Sequence, residues 1–198
     1  MTNARRFLLA TNNKGKLTEL RRILEPLGFE VVSLSDAGLS GEPVEDGETF
    51  LDNALIKARY FASHSDIPVI ADDSGLCVEA LGGEPGVHSR YFGGPEGHDE
   101  ANNRALVAAV QGLSPEKRGA YYVCVAVCVW PDGNVEHAEG RAEGRIVTEP
   151  RGTGGFGYDP FVQDILSGRT FAELSPDEKD ERSHRGKAFR ALAAKLSR

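Results

Sequence analysis

The sequence predicts an α/β fold, because two short apolar runs are each followed by polar residues of the kinds that bind ligands. The first run, residues 7–10, leads through a polar loop into leucines at helical spacing. The second run, residues 69–71, leads into Asp-Asp-Ser-Gly at residues 72–75. In an open α/β sheet, ligands bind beyond the carboxyl ends of the strands. We therefore expect the two acids to lie at the end of a strand, next to a ligand.

The composition is that of a soluble globular chain and favours a small anionic ligand. There are 198 residues, of which 40% are hydrophobic and 27% charged, which suits a single domain over residues 1–198. The net charge of −7 argues against binding a nucleic-acid polymer or an anionic membrane. No apolar run approaches the roughly 20 residues that span a bilayer. The three cysteines form no CxxC pair, so we expect no zinc site and a cytoplasmic location.

The adjacent acids Asp72 and Asp73 are expected to have different roles. Successive side chains of a strand point to opposite faces, so the two carboxylates do not share one ligand. One would hold a hard cation or a water, and the other would tie down the turn or cap the following segment. The alternative is that residues 72–75 form an ordinary capped turn.

The segment Thr11-Asn12-Asn13-Lys14-Gly15-Lys16 is predicted to bind phosphate. It lies between a predicted strand and a predicted helix, and such a loop directs backbone N–H groups and a helix N-terminus at one spot. Its glycine spacing is not that of a Walker loop. The alternative is a capped turn with solvated lysines.

Further elements follow from the periodicity of the chain. Residues 29–34 are predicted as a strand, and an acidic loop over residues 41–48 precedes a long amphipathic helix that begins at Phe50. Asn53 and Lys57 lie one turn apart on that helix. A helix is predicted over residues 99–110. Strands over residues 121–130 and 135–147, joined by a hairpin turn, are interpreted as a β-rich lobe inserted between α/β pieces.

The C-terminal third carries two more signals. The glycine-rich residues 152–160 allow close approach of the backbone, and an aromatic side chain there would stack on a flat base. Lys179 and the basic residues 183–187 precede the predicted final helix, where an anion would offset their charge. The alternatives are a flexible hairpin with packed aromatics and a solvated basic surface.

Five segments, in this order, resemble the inosine triphosphate pyrophosphatase (Ham1-like) family. They are the phosphate-loop segment at residues 11–16, Thr-Phe-Leu-Asp-Asn-Ala at 49–54, Ala-Asp-Asp-Ser-Gly-Leu at 71–76, Gly-Phe-Gly-Tyr-Asp-Pro at 155–160 and Ser-His-Arg-Gly-Lys at 183–187. The resemblance implies an elongated two-lobed α/β fold with a long central mixed sheet, helices on its faces and an active-site cleft between the lobes. It also implies a homodimer that uses Mg²⁺ to hydrolyse ITP, dITP and XTP to the monophosphate and pyrophosphate.

The resemblance also implies roles for individual residues. Asp73 matches the catalytic acid and metal ligand, and Glu45 or a neighbouring acid matches the second metal carboxylate. The family has Ser-x-Arg after its Pro-Gly loop, whereas Arg90 here follows Ser89 directly, so the role of Arg90 stays open. The positions that match substrate-binding residues are Thr11, Asn12, Asn13, Lys14, Gly15, Lys16, Ser74, Phe156, Gly157, Tyr158, Asp159, Lys179, His184 and Arg185.

These residues suit the implied reaction. Lys16, Lys179, Arg185 and Mg²⁺ would offset the charge of a triphosphate, and both Lys16 and Arg185 are expected to be solvent-accessible. Asp73 would orient or deprotonate a water for attack on the α-phosphorus, while Phe156 stacks on the base. A nucleotide sensor without turnover and a pyrophosphatase for modified pyrimidine triphosphates are the alternatives. A sensor that only binds a polyanion would avoid an acid pair.

Overall fold

The computed structural model describes residues 5–198 and has the predicted α/β architecture. The first four residues of the predicted single domain 1–198 lie outside the described residues, and the single domain stays a prediction. The helices and strands, in chain order, are β1 (Arg5–Leu9), α1 (Lys14–Leu24), β2 (Phe29–Ser33), α2 (Phe50–Ala62), β3 (Val69–Val78), α3 (Asp99–Val110), β4 (Gly119–Val129), β5 (Val135–Ile146), β6 (Val162–Asp164), α4 (Pro176–Arg182) and α5 (His184–Leu196).

The strands form one mixed sheet in the order β2-β1-β3-β4-β5-β6. Strand β1 runs parallel to both β2 and β3, and β5 runs antiparallel to β6. The mixed sheet flanked by helices is therefore confirmed. The hairpin strands β4 and β5, which were interpreted as part of a β-rich lobe inserted between α/β pieces, belong to this same sheet. The hairpin turn between them is confirmed by the Trp130 N–H, which donates to the Asn134 carbonyl at 2.9 Å.

Strand β3 differs from its prediction in a way that matters for the site. The acids were expected at the end of the strand, but β3 continues through them to Val78. Within β3 only Asp73 and Ser74 are partly exposed, and the residues before and after these two are buried. Burial of the apolar residues that follow the acids keeps the strand extended. The chemistry-bearing residues therefore lie in the middle of a strand.

The chain forms two compact units, each with its own core. The first unit comprises the described residues up to Asp73, with Cys124–Gly140 and Arg185–Arg198. Its core packs α1 and α5 side chains such as Leu20 and Phe189 with residues of β1 to β4. The second unit comprises Ser74–Val123 and Arg141–His184. Its core is built around Leu106, Tyr122 and Phe171.

The predicted helices are present, with one correction near the C-terminus. Lys179 and the basic residues 183–187 were expected to precede the last helix. Lys179 does precede the last helix, within the short helix α4, but His184 and Arg185 form the first turn of α5. Ser175 caps α4 and Pro176 occupies its first turn, both of which favour helix initiation. Among residues 5–198, no helix has the length and apolar character needed to cross a membrane.

Candidate active site

The first unit contains a buried ion-pair network centred on Asp72. This side chain is 1% exposed. Its Oδ2 atom accepts a hydrogen bond from Lys16 Nζ at 2.9 Å and lies 3.6 Å from Arg185 Nε. Arg185 in turn donates from Nη1 to Glu19 Oε2 at 2.7 Å. Three separate elements, α1, β3 and α5, are thus joined by one charged cluster.

The charges of this network decide the ionisation of Asp72. Burial alone would raise the pKa of Asp72, but Lys16, Arg185 and Lys57 outweigh it and hold the pKa well below its usual range. Burial likewise opposes the charge of Arg185, whose pKa is nevertheless raised by Asp72 and Glu19. Arg185 is 3% exposed, so the expectation that it is solvent-accessible is wrong. A buried guanidinium persists here because carboxylates surround it.

Asp73 lies next to Asp72 but in a different environment. The amide of Asn53 on α2 donates from Nδ2 to Asp73 Oδ2 at 3.2 Å, and the same amide accepts the Gly47 N–H at 2.8 Å. Burial is the main effect and raises the pKa of Asp73, although Lys16 and Lys57 oppose that shift. The charge of Glu45 raises the pKa of Asp73 further. The pKa values of the two adjacent acids are therefore shifted in opposite directions, downward for Asp72 and upward for Asp73.

Glu45 and Lys57 complete this part of the first unit. Lys57 Nζ lies 2.8 Å from Glu45 Oε2 and donates to the backbone carbonyl of Asp72 at 3.0 Å. Burial opposes the charge of Lys57, but the carboxylates of Asp72 and Glu45 raise its pKa. The helical spacing of Asn53 and Lys57 places both of their polar ends at residues 72–73 of β3.

The carboxylates of Asp73 and Glu45 have the chemistry of a Mg²⁺ site. Both donate oxygen, the ligand that Mg²⁺ prefers, and Mg²⁺ commonly uses one or two carboxylates and keeps several waters. The charge of Glu45 raises the pKa of Asp73, and a cation would relieve this repulsion. Within residues 5–198, no group of three or more His, Cys, Asp or Glu side chains is arranged as a metal site. The oxygen ligands of Asp73 and Glu45 therefore fit Mg²⁺ in their chemistry.

The predicted phosphate loop has the geometry of a helix N-terminus. Asn13 caps α1, and its side chain accepts the Lys16 N–H at 3.0 Å. Thr11 Oγ1 accepts the Asn13 N–H at 3.2 Å, and Asn12 Nδ2 donates to the Gly41 carbonyl at 3.0 Å. The last bond ties the loop to the start of the acidic segment that carries Glu45. Lys14 and Gly15 open the helix, where backbone N–H groups favour anions.

The second unit contains a different cluster, centred on Asp159. Its Oδ2 atom accepts hydrogen bonds from Lys179 Nζ at 2.7 Å and from the Phe156 N–H at 2.9 Å. The hydroxyl of Tyr122 donates to Oδ1 at 3.3 Å. Lys179 Nζ also lies 4.8 Å from the centroid of the Phe156 ring. Gly155 has φ of +70°, and a Cβ there would collide with the Asp159 carboxylate, so this position requires glycine.

The other predicted substrate-binding residues of the second unit surround this cluster. The His184 imidazole stacks on the Tyr122 ring with centroids 4.5 Å apart. Gly157 donates its N–H to Asp99 and accepts from Asn103 Nδ2, both on α3. The buried Tyr158 donates its hydroxyl to the Ser89 carbonyl at 2.6 Å, which anchors the loop.

Ser74 was predicted to bind substrate, and the role of Arg90 was left open. Ser74 is partly exposed and follows Asp73 directly in β3. Arg90 is exposed on a short 3₁₀ helix, with its guanidinium 5.4 Å from the Tyr91 ring centroid.

Comparisons with known proteins identify the family of this chain. The model of the Ham1 family matches residues 7–195. The chain belongs to the Ham1 family. A protein of Corynebacterium diphtheriae named dITP/XTP pyrophosphatase is 52% identical, with 94% of each chain covered. A Thermus thermophilus protein of the same name is 48% identical over 97% of this chain and 92% of its own length. The structure of a HAM1 protein from Coxiella burnetii has a TM-score of 0.86 at 35% identity, covering 97% of this chain and 98% of that one.

Several functional candidates of this Ham1 family member were missed by sequence reasoning. Asn53 and Lys57 were recognised only as neighbours on a helix. The available signal was that they lie one helical turn apart on the helix that precedes the acidic strand. One acid of the pair was expected to tie down a turn or cap a segment, whereas Asp72 accepts from Lys16 and lies beside the buried Arg185. Glu19 and Tyr122 carry no local signal, because their partners lie 166 and 37 residues away in the chain.

The opposite environments of Asp72 and Asp73 generate a stability prediction for the metal-free protein. Asp72→Asn should lower the free energy of unfolding by about 3–5 kcal/mol at pH 7, because it removes the buried carboxylate that Lys16 and Arg185 share. Asp73→Asn should leave it unchanged or raised, since the ionised Asp73 is disfavoured by its surroundings. Urea unfolding of both variants measures the difference. Equal losses in the two variants would contradict the assigned environments.

The pH dependence of the Asp72→Asn effect follows from the same ion pairs. The folded-state pKa of Asp72 is depressed, so its stabilisation is fully present above the unfolded-state value of about 3.9. The stabilisation is lost as the pH falls towards the folded-state pKa. The difference between wild type and Asp72→Asn should therefore be constant from pH 8 to pH 5, and shrink only below about pH 4.

Proposed function

We propose that this chain hydrolyses ITP, dITP and XTP to the nucleoside monophosphate and pyrophosphate. This reaction would remove these non-standard purine nucleotides from the nucleotide pool. The observation that carries the proposal is the environment of Asp73. Its carboxylate lies near the carboxylate of Glu45, and the positive charges of Lys16 and Lys57 act on it as well. Such a cluster suits a metal-bound polyphosphate and the activation of a water. Relatives named dITP/XTP pyrophosphatase, about half identical over nearly the whole chain, support the substrate class.

We propose Mg²⁺ as the cofactor, held by Asp73 and Glu45. When bound, the ion would neutralise charge on the triphosphate and on the departing pyrophosphate. Lys57 already contacts Glu45 and so fixes this carboxylate beside β3. Asn53 holds one oxygen of Asp73 through its amide, which leaves the orientation of the other oxygen defined.

In the proposed reaction, Asp73 is the catalytic residue that accepts a proton from the attacking water. Asn53 engages one oxygen of Asp73, so the carboxylate is oriented and its other oxygen would be available to a nearby water. The Thr11–Lys16 segment would bind the phosphates through Lys16 and the helix N-terminus of α1. Arg185 would act mainly through Asp72 and Glu19, because it is buried against both. Ser74, next in the strand, would border the substrate.

The base would bind to the cluster around Asp159. Phe156 is partly exposed and offers a ring for stacking, with Lys179 close to that ring. A 6-oxopurine presents an acceptor at O6 and a donor at N1, which a Lys179 or His184 donor and the Asp159 carboxylate would match. Adenine presents the reverse pattern and would leave polar groups unpaired.

We also propose that the protein acts as a homodimer in the cytoplasm. The family resemblance supports the dimer, and the three free, buried cysteines of the described chain suit a reducing compartment. The net charge of −7 supports a nucleotide rather than a nucleic-acid polymer as its ligand.

The direct test is a substrate panel with detection of pyrophosphate. With Mg²⁺ present, kcat/KM for ITP, dITP and XTP should exceed that for ATP by several decades, because the adenine edge leaves polar groups of the site unpaired. The family resemblance implies that GTP, which shares the O6 and N1 pattern of ITP, is also a poorer substrate. In ¹⁸O-labelled water the label should appear in the monophosphate, since attack is at the α-phosphorus.

Three other outcomes would overturn the proposal. Label in orthophosphate would indicate a phosphatase that attacks the γ-phosphorus. Preference for modified pyrimidine triphosphates would move the enzyme to a different substrate class. Tight binding of ITP without turnover would favour a nucleotide sensor.

A second prediction concerns Lys16. Lys16→Ala should raise KM for ITP about tenfold to hundredfold, because a charge-assisted contact to phosphate contributes about 1.5–3 kcal/mol. Lys117→Ala removes one exposed positive charge outside both clusters and is the matched control. Equal KM values for the two variants would mean that Lys16 serves only to pair Asp72.

A further inference from the structure

Tyr122 contacts both halves of the base cluster in the second unit. It lies on β4 and is 6% exposed, and its ring packs edge-on against Phe171 with centroids 5.4 Å apart. One face of the ring stacks on the His184 imidazole at an interplanar angle of 15°. Its hydroxyl donates to Asp159 Oδ1 at 3.3 Å. One rigid side chain therefore touches the first residue of α5 and the carboxylate of the glycine-rich loop.

The hydrogen bond from the Tyr122 hydroxyl to Asp159 links Tyr122 to the groups proposed to bind the base. Asp159 is the shared acceptor of Lys179 Nζ and of the Phe156 N–H. A shift of its carboxylate would therefore move both the ammonium group and the loop that carries the stacking ring. The stack of Tyr122 on His184 fixes the plane of the imidazole, because parallel rings at 4.5 Å leave little freedom to tilt.

We propose that Tyr122 is a positioning residue that determines base specificity. It holds the His184 ring and the Asp159–Lys179 pair at a fixed spacing, and that spacing separates 6-oxopurines from 6-aminopurines. The inference rests on the proposed function, because it concerns the same nucleotide site. Discrimination by hydrogen bonds needs donors and acceptors that do not move to suit the wrong base. Tyr122 supplies this rigidity without touching the base itself.

Two substitutions separate the two contacts. Tyr122→Phe keeps the stack on His184 and the packing against Phe171 but removes the hydroxyl from Asp159. Tyr122→Leu removes the stack as well. Tyr121→Phe is the matched control, because this neighbour points to the opposite face of β4, where its ring lies against Arg141.

The experiment measures kcat and KM for ITP and ATP in the full chain and its three variants. Tyr122→Phe should lower the ratio of kcat/KM for ITP over ATP by about threefold to tenfold, chiefly through a higher KM for ITP, as expected for one weakened charged hydrogen bond. Tyr122→Leu should lower the ratio by about tenfold or more, since the aromatic contact is lost too. Tyr121→Phe should keep the wild-type ratio.

The outcomes distinguish this inference from the proposed function. A merely structural role would lower the rates for ITP and ATP in parallel and leave their ratio unchanged, which would overturn the inference. An unchanged ratio in Tyr122→Phe would do so even if Tyr122→Leu failed to fold, because the ring of phenylalanine preserves the core. Absence of ITP hydrolysis in the wild type would instead refute the proposed function.

Discussion

The buried charge of Asp72 is the constraint on which the first unit depends. A carboxylate that is 1% exposed in the middle of a sheet is tolerated only if cations compensate it, and Lys16 and Arg185 do so. These cations come from α1 and α5, so the ion pairs fix where both helices begin relative to β3. The N-terminus of α1 is thereby held beside the strand that carries the proposed catalytic acid.

The same arrangement separates the properties of two neighbouring carboxylates. Cations dominate the surroundings of Asp72, whose pKa is lowered, whereas burial dominates those of Asp73, whose pKa is raised. Alternation along the strand makes this possible, because adjacent side chains face opposite sides of the sheet. A structural anion and a reactive acid can therefore be consecutive residues. In the second unit, the buried pair of Asp159 and Lys179 similarly organises the loop that carries Phe156.

Local signals in the sequence predicted more of the fold than of the long-range contacts. The helix at Phe50, the hairpin turn before Asn134 and the role of residues 11–16 as a strand–loop–helix segment follow from periodicity and turn chemistry. The end of β3 was placed too early, because two acids resemble a turn unless distant cations compensate them. Arg185 was expected in solvent for the same reason, since its partner Glu19 is 166 residues away. Ion pairs between distant segments leave no periodic trace.

The different roles of Asp72 and Asp73 are tested most directly by titrating Mn²⁺ into the protein and following water-proton relaxation. Mn²⁺ serves here as an oxygen-seeking substitute for Mg²⁺. Asp73→Asn and Glu45→Gln are expected to abolish or strongly weaken Mn²⁺ binding and ITP turnover while the protein stays folded. Glu48→Gln, which removes an exposed acid from the same loop, should bind Mn²⁺ as the wild type does. Wild-type Mn²⁺ affinity and wild-type turnover in Asp73→Asn would contradict the central claim.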